Sequence, residues 1–200
     1  MPRPGYQSKA GVSYPLSRRT VLKSILGVGL GLQFVGSPVG ATEELRRARP
    51  QVGDLLVFSF GERRGQLITP QDLPLEGPSV IAYPLDPGTQ TVRDGSRLNA
   101  VLLVRFAQEE LSEPTRAVAA EGIVGYSAIC THAGCDVSGW KGENKCLVCP
   151  CHTSTFDPKD RARIVSGPAP RPLPALPLQL RDGKVTVAGV FSGRVGAVQQ

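Results

Sequence analysis

Cys130-Thr131-His132-Ala133-Gly134-Cys135 and Cys149-Pro150-Cys151-His152-Thr153-Ser154 hold both histidines of the chain and four of its five cysteines. Thirteen residues separate Cys135 from Cys149. Short loops that gather thiolates and imidazoles in this way make a metal site, and the mixed donor set points to iron–sulfur or zinc. A Cys2His2 zinc site could draw on Cys146 and Cys149 as a short cysteine pair. No His pair at helical spacing accompanies them, however, and zinc does not need Cys135 and Cys151 beside the ligands. Cys146 reads more simply as a small apolar residue of a strand over residues 145–148.

The two boxes match, position by position, Cys-x-His-x-Gly-Cys followed by Cys-x-Cys-His-x-Ser. This pattern resembles the Rieske iron–sulfur family, in particular the branch found in quinol–cytochrome c reductases of the bc1 type. The resemblance implies one [2Fe-2S] cluster per chain. Cys130 and Cys149 would bind one iron, and His132 and His152 the other through Nδ1. Cys135 and Cys151 would form a disulfide tying the loops together. Two neutral imidazoles in place of two thiolates make the centre less negative. That is why such clusters sit at roughly −150 to +300 mV, against about −400 mV for plant-type ferredoxins.

The extra cysteine pair separates subfamilies. Rieske-type ferredoxins and oxygenase domains resemble the ligand pattern but usually lack it, and a structural disulfide does not persist in a reducing cytosol. An exported, high-potential protein is expected. Ser154 matches a family serine that donates to a bridging sulfide and so raises the potential. Two residues on, Phe156 stands where the bc1-like family has a tyrosine, which implies a lower potential. Ala133 replaces the usual leucine at the exposed tip and leaves a shallower surface for quinol. Gly167-Pro168-Ala169-Pro170 resembles the proline loop that covers the cluster, and prolines hold such a loop in shape at little entropic cost.

The N-terminus supplies an address. Ser17-Arg18-Arg19-Thr20-Val21-Leu22-Lys23 resembles the twin-arginine export signal, followed by an uncharged stretch over residues 24–41 that ends in Val39-Gly40-Ala41. A route for folded proteins suits a cluster inserted before export. As helix the uncharged stretch reaches about 27 Å, barely a membrane span. Residues 1–41 are therefore expected to be a signal or membrane anchor, on the periplasmic side of a bacterial inner membrane. They carry five basic residues and no acid, which leaves 18 basic against 17 acidic residues in the remainder. The alkaline pI belongs largely to this segment, and no basic patch interleaved with aromatics supports nucleic-acid binding.

Residues 42–50 are charged and read as a linker or short helix. Residues 51–190 suffice for one domain with its own core, leaving a tail over 191–200. Short β-rich runs at residues 55–60, 80–83, 101–106, 123–126, 176–180 and 185–188 predict an all-β antiparallel sandwich. Asp182-Gly183 makes a hairpin turn. One helix is expected over residues 113–120, from Ser112 as N-cap to Gly122 as stop. The resemblance adds a small cluster-binding subdomain, with loops over 128–157, inserted between strands.

The implied function is electron transfer as a subunit of an oxidoreductase complex, without catalysis by the chain alone. In the quinol–cytochrome c reductase reading the partners are cytochrome b and cytochrome c1-like subunits. His152 would contact the quinol, and a c-type cytochrome would accept the electron. The alternative is the small subunit of a periplasmic molybdenum oxidoreductase resembling arsenite oxidase, with a molybdopterin subunit as donor. Ala133 and Phe156 fit that alternative.

Overall fold

The computed structural model describes residues 39–197. The expected targeting segment lies outside them, apart from its last three residues. Among the described residues eleven strands form two antiparallel sheets. The larger runs β10 (Leu178–Arg181), β11 (Lys184–Val187), β1 (Leu55–Phe58), β2 (Val80–Asp86), β4 (Val101–Arg105), β5 (Ile123–Ser127), with β3 (Thr91–Val92) on β2. The smaller runs β6 (Gly139–Lys141), β7 (Cys146–Val148), β8 (Thr155–Asp157), β9 (Arg163–Ser166). The smaller sheet falls between β5 and β10 in sequence, the insertion expected of a cluster-binding subdomain.

The large sheet curls back on itself. Leu176 N–H donates to the Gly125 carbonyl and Ser127 N–H to the Pro174 carbonyl, each at 2.9 Å, so edge strand β5 meets the chain entering β10. A Cβ at Gly125 would stand 3.0 Å from Leu178 Cδ1.

Strand β4 explains how two cores coexist. Its side chains alternate faces, and residues 101–104 are all apolar because both faces are covered. Val101 and Leu103 join Leu56, Ile68, Val185 and Val187 inside the curl. Leu102 and Val104 face a second core with Tyr126, Leu147, Phe156 and Leu173, which binds the small sheet to the large one. The same period carries Val124, Tyr126, Ala128 and Cys130 into that second core, so β5 aims its exit at the first box.

Two boundaries differ from expectation, and the segment 42–50 takes the second of its two expected forms, a short helix. The helix expected over 113–120 is α2 (Glu113–Arg116), one turn long. Ala120 and Ile123 exchange both backbone hydrogen bonds at 2.9 Å across Glu121 and Gly122, which take φ of 49° and 87°. That tight turn feeds β5 and leaves no room for a longer helix.

The segment 42–50 is no free linker. It is helical in α1 (Val39–Arg47) and fastened to the domain. Arg46 bonds Asp94 at 2.9 Å, Gly95 N–H donates to the Arg46 carbonyl, and Asn99 Nδ2 donates to the Ala48 carbonyl. Beneath α1, buried Arg93 grips Asp54 with two bonds of 2.7 and 3.0 Å and reaches the Leu45 carbonyl.

Residues 191–196, expected as a tail, also pack on the domain. Phe191 lies against the inner core, Val195 is buried, and Arg171 holds the carbonyls of Arg194 and Gly196.

Candidate functional site

The first box is a turn built on the end of β5. Ser127 Oγ accepts from Ile129 N–H at 3.1 Å, and Ile129 pairs with Asp136. Inside that bridge Cys130 N–H donates to the Cys135 carbonyl at 2.8 Å and Gly134 N–H to the Cys130 carbonyl at 3.1 Å. Gly134 takes φ +74°, a region that favours glycine. The second box joins β7 to β8 and is closed by Cys149 N–H donating to the Ser154 carbonyl at 2.9 Å. Thr153 turns the chain at φ +55°, with Thr155 Oγ1 on its carbonyl.

A disulfide between Cys135 and Cys151 joins the loops. It brings the remaining donors together in two pairs. Cys130 and Cys149 are each 1% exposed, and their thiols lie close enough to act on one another. Burial pushes the Cys149 thiol up, while amide groups of Cys151 and His152 directed at its sulfur pull it down. The His132 and His152 rings meet edge-on, with centroids 4.7 Å apart. His132 is half-buried and His152 exposed, so the thiol pair faces the core and the imidazole pair faces out. The sulfurs of Cys135, Cys149 and Cys151 also lie within 4.8 Å of one another. Two of those are already bonded to each other and are not thiolates.

Among the described residues, three buried side-chain polar atoms lack a hydrogen-bond partner, and two of them, His132 Nδ1 and Ser154 Oγ, are here. A buried polar atom without a partner is costly. Two thiols, two imidazoles and a buried hydroxyl on two loops joined by a disulfide suit an inorganic group that takes both metal–ligand and hydrogen bonds.

Residues 99–177 match the Rieske [2Fe-2S] domain. Over 187 residues the chain is 36% identical to a putative respiratory nitrate reductase subunit Rieske of Haloferax mediterranei, covering 90% of this chain and 80% of that one. The chain belongs to the Rieske [2Fe-2S] family. It is also 38% identical, over 99 residues, to the cytochrome bc1 complex Rieske iron–sulfur subunit of Streptomyces lividans. That match covers 48% of this chain and 58% of the relative. Among solved structures, the soluble domain of Rieske protein II from Sulfolobus acidocaldarius aligns with TM-score 0.37 and 25% identity. That alignment covers 48% of this chain and 66% of the other.

A Rieske domain carries a [2Fe-2S] cluster, and the donors of this Rieske protein fit one. The zinc reading is thereby set aside. Cys146, its spare ligand, sits in β7 and bonds the Asn144 carbonyl at 3.3 Å. The proline loop lies over the second box: a Cβ at Gly167 would come within 2.5 Å of Ser154 Cα and 3.0 Å of the Thr153 carbonyl.

Sequence reasoning missed Thr131 and Tyr126. The Thr131 hydroxyl donates to the Arg171 carbonyl at 2.6 Å and ties the first box to the chain after the proline loop. Tyr126, almost fully buried, donates to the Pro158 carbonyl at 2.7 Å. Nothing in a Cys-x-His spacing marks the intervening residue, whereas the aromatic in β5 carried a weak signal.

Proposed function

We propose that this Rieske protein is a one-electron carrier whose cluster is held by Cys130 and Cys149 on one iron and His132 and His152, through Nδ1, on the other. The observation that carries the proposal is the disulfide-tied pair of loops, with its buried thiol pair and its outward imidazole pair. The cluster supplies a single reversible electron. The chain's own residues fix where that electron enters and leaves. His152, exposed, presents its outer nitrogen to a partner. Ser154 offers its hydroxyl to a sulfide, and the disulfide and the Thr131–Arg171 bond hold the loops in register.

The complex it serves is a finer matter. Similarity over 90% of the chain to a putative nitrate reductase Rieske subunit, against 48% for the bc1 relative, favours a periplasmic molybdenum oxidoreductase as partner. Ala133, exposed at the tip, and Phe156, without a hydroxyl, support the same reading. The quinol–cytochrome c reductase reading, with His152 as quinol contact and cytochrome b and c1-like partners, retains the support of the shared boxes. In both, the twin-arginine-like N-terminus supports export to the periplasmic side, with a c-type cytochrome as acceptor.

Affinity isolation of the tagged full chain from its native membranes, with mass spectrometry and a quinol oxidation assay, separates the two. A molybdopterin subunit and no quinol oxidation are expected. A cytochrome b partner with inhibitor-sensitive quinol oxidation would return the bc1-like reading.

A further inference from the structure

Three hollows of about 250, 410 and 510 Å³ run side by side across one face of the domain. Gly193 is common to the first and third, and Arg49 and Arg194 to the first and second, so they form one band. Six arginines line it, Arg49, Arg97, Arg161, Arg163, Arg171 and Arg194, and no carboxylate of the described residues does. This is a marked separation of charge, because residues 42–200 carry almost equal numbers of acids and bases. Elsewhere more of the cations are neutralised: Arg46, Arg47, Arg63, Arg64, Arg93, Lys145 and Lys159 each pair with a carboxylate, while Arg105, Arg116, Lys141, Arg181 and Lys184 make no ion pair among the described residues. On the band Arg97 pairs with Asp136, and Arg163 with Asp157 and Asp160. Among the described residues Arg49, Arg161, Arg171 and Arg194 make no ion pair. Arg49 and Arg171 are held in place by backbone carbonyls.

The band borders the site. Ala133 and Gly134 of the first box line the 410 Å³ hollow at one end of the band, next in sequence to His132. Arg171 to Pro174, immediately after the proline loop, line its largest hollow, and the Arg171 carbonyl takes the Thr131 hydroxyl. Between the arginines lie exposed Val190 and Pro172 and half-buried Phe191. Guanidinium forks around an apolar centre suit a protein surface bearing carboxylates. The string of shallow hollows is broader than a small anion needs.

We infer that this arginine band is the docking face for an acidic redox-partner protein, placing that partner's carboxylates beside the loop that carries His132. The inference rests on the redox reading above and adds the chemistry of the partner. A one-sign field next to the exit point steers encounter and fixes orientation, and it weakens as salt screens it.

The test uses the oxidised holoprotein and two probes with the same haem and opposite charge: basic mitochondrial cytochrome c, and that cytochrome with its lysines succinylated. Binding is followed by calorimetry with both proteins oxidised, so no electron transfer is needed. At about 10 mM ionic strength the succinylated probe should bind at least about tenfold more tightly, and the gap should close by about 0.3 M. Arg161→Glu with Arg194→Glu should abolish the preference while the visible spectrum stays intact. Arg181→Glu with Lys184→Glu, at the hairpin turn outside the band, changes net charge equally and should preserve it. Equal binding of the two probes, an unaffected band variant, or an equal loss in the hairpin variant would overturn the inference. So would binding to phosphatidylglycerol vesicles without binding to the succinylated probe. A holoprotein that shows no Rieske spectrum at all would instead overturn the redox reading beneath it.

Discussion

Gly167 lies so close to Ser154 that a single added carbon would stand 2.5 Å from Ser154 Cα and 2.8 Å from its nitrogen. The contact sets the proline loop directly on Ser154, whose buried hydroxyl has no hydrogen-bond partner. Gly167 also takes φ +91°, so any side chain there is strained twice, by contact and by backbone.

Gly167→Ala should therefore lift the loop off the second box. An unrelieved clash of this kind costs about 1–3 kcal/mol, and it opens the site to water. Thermal bleaching of the visible absorption should move to lower temperature in the variant. An unchanged bleaching curve would mean that the loop does not cover the cluster.

Ser154 and Phe156 should act on the potential in opposite directions. In the proposed reading Ser154 donates to a sulfide and stabilises the more negative, reduced state, so Ser154→Ala should lower the midpoint. Phe156 is wholly buried in the core it shares with Cys149. Phe156→Tyr should raise the midpoint if the new hydroxyl reaches sulfur. A hydrogen bond contributing about 1 kcal/mol more to the reduced form is worth about 40 mV. Protein-film voltammetry of the two variants reads both signs.

The ion pair beneath α1 governs stability rather than redox chemistry. Asp54→Ala leaves the buried guanidinium of Arg93 only its 3.5 Å contact with Asp86 and the Leu45 carbonyl, and should cost about 3 kcal/mol, measured by urea unfolding. Because Arg93 also holds the Leu45 carbonyl, hydrogen exchange at the Gly95 amide, which bonds Arg46 of α1, should rise more than exchange in β10 and β11.

Cys146 should be chemically quiet. It is 4% exposed, and burial raises its thiol above the ordinary value, so little thiolate forms near neutral pH. Iodoacetamide applied to the folded holoprotein should leave Cys146 unmodified, and the same reagent after denaturation should label it. Labelling in the folded state would contradict the strand placement.

The disulfide closes a loop of about sixteen residues, worth about 3 kcal/mol in the chain-entropy account. Replacing both Cys135 and Cys151 by serine should shorten the lifetime of the visible chromophore at elevated temperature, with far-UV circular dichroism of the large sheet preserved. Equal chromophore lifetimes would show that the loops hold together without it.

The site was legible because its residue types are rare in this chain. With two histidines and five cysteines, two boxes could be found by inspection, and the β-rich runs over 55–60, 101–106 and 123–126 announced themselves by composition and match β1, β4 and β5 to within two residues. Segment ends were not legible. Residues 42–50 read as a linker or short helix because they are charged, yet Arg46 pairs with Asp94 and Arg49 donates to the Leu98 carbonyl, some fifty residues away, partners no local pattern reveals. Residues 113–120 have helical propensity, but the turn at Glu121 and Gly122 serves strand pairing and overrides it. Phe191 and Val195 escaped notice because their packing partners are long-range. The arginine band was hidden for the same reason, since its members are scattered from residue 49 to residue 194.

The most direct test of the ligand assignment is pulsed electron paramagnetic resonance of the dithionite-reduced holoprotein. The assignment predicts a rhombic signal with mean g below the free-electron value and couplings to two inequivalent histidine nitrogens, lost in His152→Ala. A signal without nitrogen coupling, or a silent sample holding stoichiometric zinc, would contradict it.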